Sequence, residues 1–96
     1  MRLPRKITIL GNSVDIKQRN LDGIHGSCDV DINEIEISKD STMDKDQVLF
    51  HEIIHYILGK SGVSELLSAK VEESVVTALE NGLFPLIHLK LRNPKK

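Results

Sequence analysis

Hydrophobic and polar residues alternate through much of the first forty positions, which is the period of a β-strand with one buried face. The first alternating set has a Gly-Asn turn signal in its middle, and the pattern therefore predicts a β-hairpin. Its positions are Ile7, Ile9, Gly11-Asn12, Val14 and Ile16.

A second alternating set follows a loop marked by Asp22-Gly23 and Gly26, and it predicts a second hairpin with its tight turn near Asn33-Glu34. Its apolar positions are Cys28, Val30, Ile32, Ile35 and Ile37. Two hairpins of this kind predict a small, mostly antiparallel sheet.

The period changes to that of a helix after Ser41. The run from Val48 to Leu58 contains neither Gly nor Pro and is followed by Gly59 as a stop signal. N-cap oxygens for this helix are available from Ser41, Thr42 and Asp44.

A second helix is predicted by apolar residues at three- and four-residue steps, and Pro85 is expected to kink or end it. These residues are Val71, Val75, Val76, Leu79, Gly82 and Leu83. The predicted fold class is therefore α+β, with an antiparallel sheet packed on two main helices in one domain spanning residues 1–96.

The sequence His-Glu-Ile-Ile-His lies inside the first helix, at residues 51–55. Two His spaced i, i+4 project from one helix face and can bind a single zinc ion through His51 and His55. Glu52 lies beside them, where its carboxylate can act as a general base on a metal-bound water. The rest of this helix is apolar on nearly all sides and is therefore expected to be buried. Its polar sector then needs a partner that offsets the desolvation of two His and one Glu, and zinc is such a partner. Tyr56 points away from that sector and is predicted to be a core aromatic residue.

A catalytic zinc site needs a third protein ligand. Candidates after His55 are Glu65, Glu72, Glu73, Glu80 and His88. Helical geometry slightly favours Glu72, which lies in the middle of the apolar face of the second helix, with Glu73 on its flank. Geometry alone leaves the choice open, because a flanking ligand can serve a groove that solvent must enter.

The first helix is followed at about eighteen residues by Glu73-x-x-Val76-x-x-Leu79-x-x-x-Leu83. This arrangement resembles the glutamate helix of zincin metallopeptidases whose third ligand is Glu. It is most similar to small phage-type proteins, distantly allied to the metallopeptidases of mobile elements that cleave repressors. The resemblance covers residues 7–87 in element order and implies that Glu73 is the third ligand. It also implies a small polar residue four positions on that supports a His ligand, and this chain has Thr77 there instead of Asp or Asn.

The composition of the chain limits the classes of partner that it is expected to bind. Basic residues are concentrated at the two ends and the body is acidic, with few aromatic residues, so no nucleic-acid surface is predicted. The chain has neither an evident signal peptide nor a membrane span, and its single Cys28 excludes an internal disulfide, so we expect a cytoplasmic protein. Cys28 is predicted to be a small core residue rather than a soft zinc ligand. Either His25 or His88 could approach the site to polarise a carbonyl.

The expected function is that of a zinc-dependent metallopeptidase with one zinc per chain, acting on a peptide or protein in an open groove. The alternative is a binding module in which zinc only stabilises a small fold. A metal-free interaction protein with a coincidental His-Glu-Ile-Ile-His sequence is the third interpretation. The sequence leaves the substrate and the oligomeric state open.

Overall fold

The computed structural model describes residues 3–92, with side chains up to Ile87. The chain forms a four-stranded sheet and two long helices, which confirms the predicted α+β class. The strands are β1 (Lys6–Ile9), β2 (Asn12–Arg19), β3 (Gly26–Asp29) and β4 (Glu34–Ser38). The helices are α1 (Lys45–Lys60) and α2 (Ala69–Arg92), joined through a short 3₁₀ helix, Val63–Leu66.

The strand order in the sheet is β1-β2-β4-β3. β1 pairs with β2 and β3 pairs with β4 in antiparallel fashion, as the two predicted hairpins require. The hairpins are joined by a parallel pairing of β2 with β4, in which Ile16 lies opposite Ile35. This topology leaves β3 as an edge strand, and α1 packs against it.

The two faces of the sheet differ in polarity, as alternation predicts. On the inner face, four side chains from β2 and β4 are buried with residues of α1: these strand residues are Val14, Ile16, Ile35 and Ile37. The outer face carries cross-strand ion pairs, Lys17 with Glu34 at 2.9 Å and Arg19 with Glu36 at 2.5 Å. The core therefore lies between the sheet and α1.

The turn between β3 and β4 begins earlier than predicted. β3 ends at Asp29, and Ile32 is 61% exposed rather than part of an inward-facing row. The Asp29 carboxylate accepts the Asp31 backbone N–H at 3.0 Å, a local hydrogen bond that competes with strand pairing. Asn33 completes the turn with φ +52°, a conformation that Asn tolerates better than most residues.

Helix α1 begins where its cap predicts. The Asp44 side chain accepts the Asp46 N–H at 3.0 Å, so Asp44 is the N-cap among the predicted candidates. The helix ends at Lys60, one residue beyond the predicted stop at Gly59. A Cβ on Gly59 would lie 2.9 Å from Val30 Cγ1, so Gly59 permits close packing of α1 on the β3–β4 turn.

Helix α2 lies across α1, with Phe84 against Phe50 at a ring-centroid distance of 5.7 Å. It continues through Pro85 to Arg92, so of the two outcomes predicted for this residue, the end of the helix is excluded. Pro85 is exposed, and water can therefore bond the carbonyl that its missing N–H leaves unpaired. Within residues 3–92, none of the helices combines the length and hydropathy required to cross a lipid bilayer.

Candidate metal centre

Two imidazoles from α1 and one carboxylate from α2 converge at one point. His51, His55 and Glu73 each offer a ligand atom, and these atoms lie within 4.8 Å of one another. Glu73 reaches Nε2 of His55 at 2.9 Å and Nε2 of His51 at 3.3 Å. The i, i+4 spacing on α1 brings the two rings together, with centroids 4.9 Å apart. This His-His-Glu group could hold a metal ion.

The other nitrogen of each ring is held by a carboxylate of α2. Nδ1 of His51 lies 2.6 Å from Glu80 Oε1, and Nδ1 of His55 lies 2.6 Å from Glu72 Oε2. When the carboxylate accepts a hydrogen bond from Nδ1–H, the lone pair of Nε2 faces the metal position. Such carboxylate–imidazole pairs commonly orient metal-binding His and increase their basicity.

Further side chains hold these carboxylates in place. Glu80 is buried, and its second oxygen accepts a hydrogen bond from Gln47 Nε2 at 2.5 Å. Hydrogen bonds from the Ser64 hydroxyl and from His55 lower the pKa of Glu72. For His55 itself, burial opposes the charged ring, but the hydrogen bonds to Glu72 and Glu73 outweigh it and raise the pKa.

The site is strongly acidic. Four carboxylates, those of Glu52, Glu72, Glu73 and Glu80, line one cleft with the two imidazoles. Among the described residues that line this cleft there is neither Lys nor Arg. Buried carboxylates normally have a positively charged partner. A divalent cation at the His-His-Glu group would supply that charge, so the donor set fits a metal.

Glu52 is a buried carboxylate next to the two imidazoles. It is 7% exposed on α1 and lies in the cleft beside His51 and His55. Burial raises its pKa, the two imidazoles oppose the rise, and the carboxylates of Glu73 and Glu80 add to it. A carboxylate with a raised pKa is a stronger base than a solvated one.

The cleft has a volume of about 880 Å³ and lies between α1, α2 and the segment that leads into β3. Gly26 at the start of β3 permits close packing of this segment on α1. A Cβ there would lie 2.8 Å from Val48 Cγ1 and 3.2 Å from Glu52 Cγ. The edge strand β3 and Glu52 are therefore adjacent.

The remaining candidates have other environments. Glu65 is exposed in the 3₁₀ helix, and it and Cys28 lie outside the His-His-Glu group among the described residues. Cys28 packs against the core, as predicted. Tyr56 is fully buried, and its hydroxyl donates to Asn33 Oδ1 at 2.6 Å, which confirms a core aromatic residue. The side chain of His88 lies outside the described residues.

The support for His51 differs from what the resemblance implies. Thr77 lies 3.5 Å from Glu73 Oε2, so it contacts the carboxylate rather than an imidazole. Glu80 contacts His51 instead. The sequence indicates Glu80 only as a candidate ligand, and it does not indicate Gln47 or Ser64 as residues of the site. A signal for Glu80 was present, because residues seven apart, such as Glu73 and Glu80, lie on the same face of a helix.

Comparison with protein-family models, with curated proteins and with solved structures gave no match. The function must therefore be inferred from the site itself.

Proposed function

We propose that this chain is a zinc-dependent metallopeptidase, with His51, His55 and Glu73 as the metal ligands and Glu52 as the general base. The observation that carries the proposal is the orientation of the two imidazoles. Each Nδ1 faces a carboxylate of its own, while both Nε2 atoms face Glu73. Two imidazoles and one carboxylate form a ligand set typical of catalytic zinc, which keeps a further position open for water.

Glu52 separates this proposal from a purely structural metal site. A structural site is closed by protein ligands and needs no base beside it. Here a buried carboxylate that is not part of the His-His-Glu group lines the same cleft. Zinc, when bound, would lower the pKa of a coordinated water and polarise the scissile carbonyl.

Glu52 would then accept a proton from the attacking water while the water oxygen bonds to the carbonyl carbon. The C–N bond breaks next, its electron pair goes to the nitrogen, and Glu52 returns the proton to the departing amine. The products are a carboxylic acid and an amine, which at neutral pH become a carboxylate and an ammonium group.

The edge strand suggests how a substrate is held. β3 is the edge strand of the sheet beside the cleft, and its residues Gly26 and Cys28 line the cleft. An extended peptide can add to such an edge through main-chain hydrogen bonds, which requires no deep side-chain pocket. The substrate we propose is therefore an unstructured peptide segment.

The test of catalysis is Glu52→Gln, which keeps the shape of the side chain and removes the proton acceptor. Zinc-loaded wild type and variant are incubated with a library of unstructured peptides, and products are identified by mass spectrometry. We expect zinc content to be unchanged and cleavage to fall by about 10²- to 10⁴-fold. A chelator control should abolish cleavage by the wild type. If neither protein cuts any peptide while both retain zinc, the zinc-stabilised binding module becomes the better account.

The test of the ligand set compares Glu73→Gln with Glu72→Gln. Both variants remove one charge from adjacent residues of α2, so each is the control for the other. We expect Glu73→Gln to cause the larger loss of zinc affinity, because Glu73 faces both Nε2 atoms. A larger loss in Glu72→Gln would assign the third ligand to Glu72.

A further inference from the structure

Hydrolysis of an amide places negative charge on the carbonyl oxygen, and fixed hydrogen-bond donors near that oxygen lower the barrier. Several donor side chains line the cleft, but two of them are engaged with the carboxylates of the site. Gln47 donates to Glu80 and Thr77 contacts Glu73. Tyr56 is fully buried with its hydroxyl on Asn33. The remaining donors to consider are His25 and Asn81, both exposed in the cleft.

The backbone of His25 is fixed close to the base. Its carbonyl accepts the Ser38 N–H at 2.8 Å, which ties it to the end of β4. The next residue is Gly26, where a Cβ would lie 3.2 Å from Glu52 Cγ. His25 therefore projects from a segment in direct contact with the side chain that activates the water.

The ring of His25 is fixed as well. Its Nδ1 lies 2.7 Å from the Ser41 hydroxyl oxygen. That oxygen also accepts the Met43 N–H at 3.1 Å, and the hydroxyl has one proton that it can donate to Nδ1. An imidazole that accepts at Nδ1 carries its proton on Nε2. When the Ser41 hydroxyl donates to Nδ1, Nε2 of His25 is therefore a donor.

We propose that His25 is a catalytic residue that donates a hydrogen bond from Nε2 to the carbonyl oxygen of the scissile amide, an assignment that rests on the proposed peptidase function. As the water oxygen bonds to the carbonyl carbon, the π electron pair moves onto the carbonyl oxygen, and the Nε2–H of His25 stabilises this charge. His25 keeps its proton throughout, because the proton that reaches the amine is the one Glu52 removed from water. His25 is preferred to Asn81 because its ring is held by a hydrogen bond before substrate arrives, and preorganised donors are the effective ones.

The experiment compares His25→Phe, His25→Gln and Asn81→Ala as zinc-loaded proteins on a peptide that the wild type cleaves. Phe keeps a ring and removes the donor, and Gln restores an N–H near the position of Nε2. We expect His25→Phe to lower kcat by about 10²- to 10³-fold with KM within about threefold, as for the loss of one oxyanion donor. His25→Gln should recover part of that loss, and Asn81→Ala should stay within about threefold of the wild type.

A second readout does not depend on turnover. Binding of a phosphinic peptide, which mimics the tetrahedral oxyanion, should weaken in His25→Phe in parallel with kcat/KM, whereas zinc affinity and thermal stability should be unchanged. If the wild type cleaves the peptide and His25→Phe is equally active, this inference is overturned and the peptidase proposal stands. Absence of cleavage by the wild type would overturn both. If His25→Phe does not fold, His25→Ala and Ser41→Ala replace it, and full activity in both would also overturn the inference.

Discussion

Substitution of Glu80 by Gln is expected to weaken zinc binding although Glu80 is not a proposed ligand. The Glu80 side chain is 7% exposed, and its oxygens lie 2.6 Å from His51 Nδ1 and 2.5 Å from Gln47 Nε2. A hydrogen bond to a charged group contributes about 1.5–3 kcal/mol. The Gln amide retains an acceptor for His51 but loses the charge that makes the imidazole a better donor to the metal.

The expected loss of zinc affinity is about 10- to 100-fold, the range typical of groups that orient a metal ligand. It corresponds to roughly 1.4–2.8 kcal/mol. This range is consistent with the loss of one charge-assisted hydrogen bond. His51→Ala, which removes a proposed ligand, should lower the affinity further.

Zinc affinity is measured by competition with a chromophoric chelator at fixed pH and salt concentration. Glu65→Gln is the matched control, because it makes the same chemical change at an exposed residue of the 3₁₀ helix. Glu80→Asp keeps the charge but shortens the side chain, and so separates charge from contact. An affinity of Glu80→Gln within twofold of the wild type would refute the orienting role. A loss as large as that of His51→Ala would mean that Glu80 binds the metal directly.

Two further predictions concern the segment beside Glu52. Gly26→Ala should reduce the free energy of unfolding by about 1–3 kcal/mol in urea titrations, because the new Cβ would lie 2.8 Å from Val48 Cγ1 and 3.0 Å from the Glu36 carbonyl oxygen. A variant as stable as the wild type would show that β3 can move away from α1 at no cost. Burial, with the carboxylates of Glu52 and Glu72, raises the pKa of Cys28 from 9.0 to about 12. Iodoacetamide at pH 8 should therefore react about 10³-fold more slowly with the folded protein than with the urea-unfolded chain, since the thiolate is the reactive form. Because the folded pKa is the higher one, this thiol's contribution to stability is present below pH 9 and is lost as the pH rises towards 12. Equal alkylation rates in the two states would contradict the burial of Cys28.

The sheet and the helices could be predicted from the sequence because their signals are local. Alternation of apolar residues defines β2 and β4, and Asp44 caps α1 at the position its side-chain chemistry favours. The parallel pairing of β2 with β4 has no comparable signal, because it joins strands that are not neighbours along the chain. The early end of β3 cannot be predicted from the alternation for a related reason. The hydrogen bond from Asp31 N–H to the Asp29 carboxylate competes with the strand pattern without changing the order of apolar residues.

The positions of Glu72 and Glu80 beside the imidazoles depend on how α2 crosses α1. No local sequence pattern predicts this crossing. Glu72 and Glu80 each meet one Nδ1 only because the two helices pack with their polar sectors facing each other. In sequence, each is one more Glu on a helix, and an isolated Glu is usually solvated. Partners of this kind become visible once the helix–helix contact is known.

The choice between Glu72 and Glu73 shows that helical periodicity predicts which residue is buried, and not which carboxylate faces both imidazoles. Adjacent residues of a helix project about 100° apart, yet both carboxylates reach His55, Glu72 at Nδ1 and Glu73 at Nε2. Contact with His55 therefore does not identify the ligand, and the second imidazole is the better guide. Glu73 also approaches Nε2 of His51, whereas Glu72 is held by Ser64. Periodicity favours Glu72 because it lies in the middle of the apolar face of α2. In the structure it is the more buried of the two, with a side chain 17% exposed against 57% for Glu73. Burial suits a carboxylate that orients an imidazole from behind, while a ligand at a site that must admit water and substrate stays on the open side of the cleft.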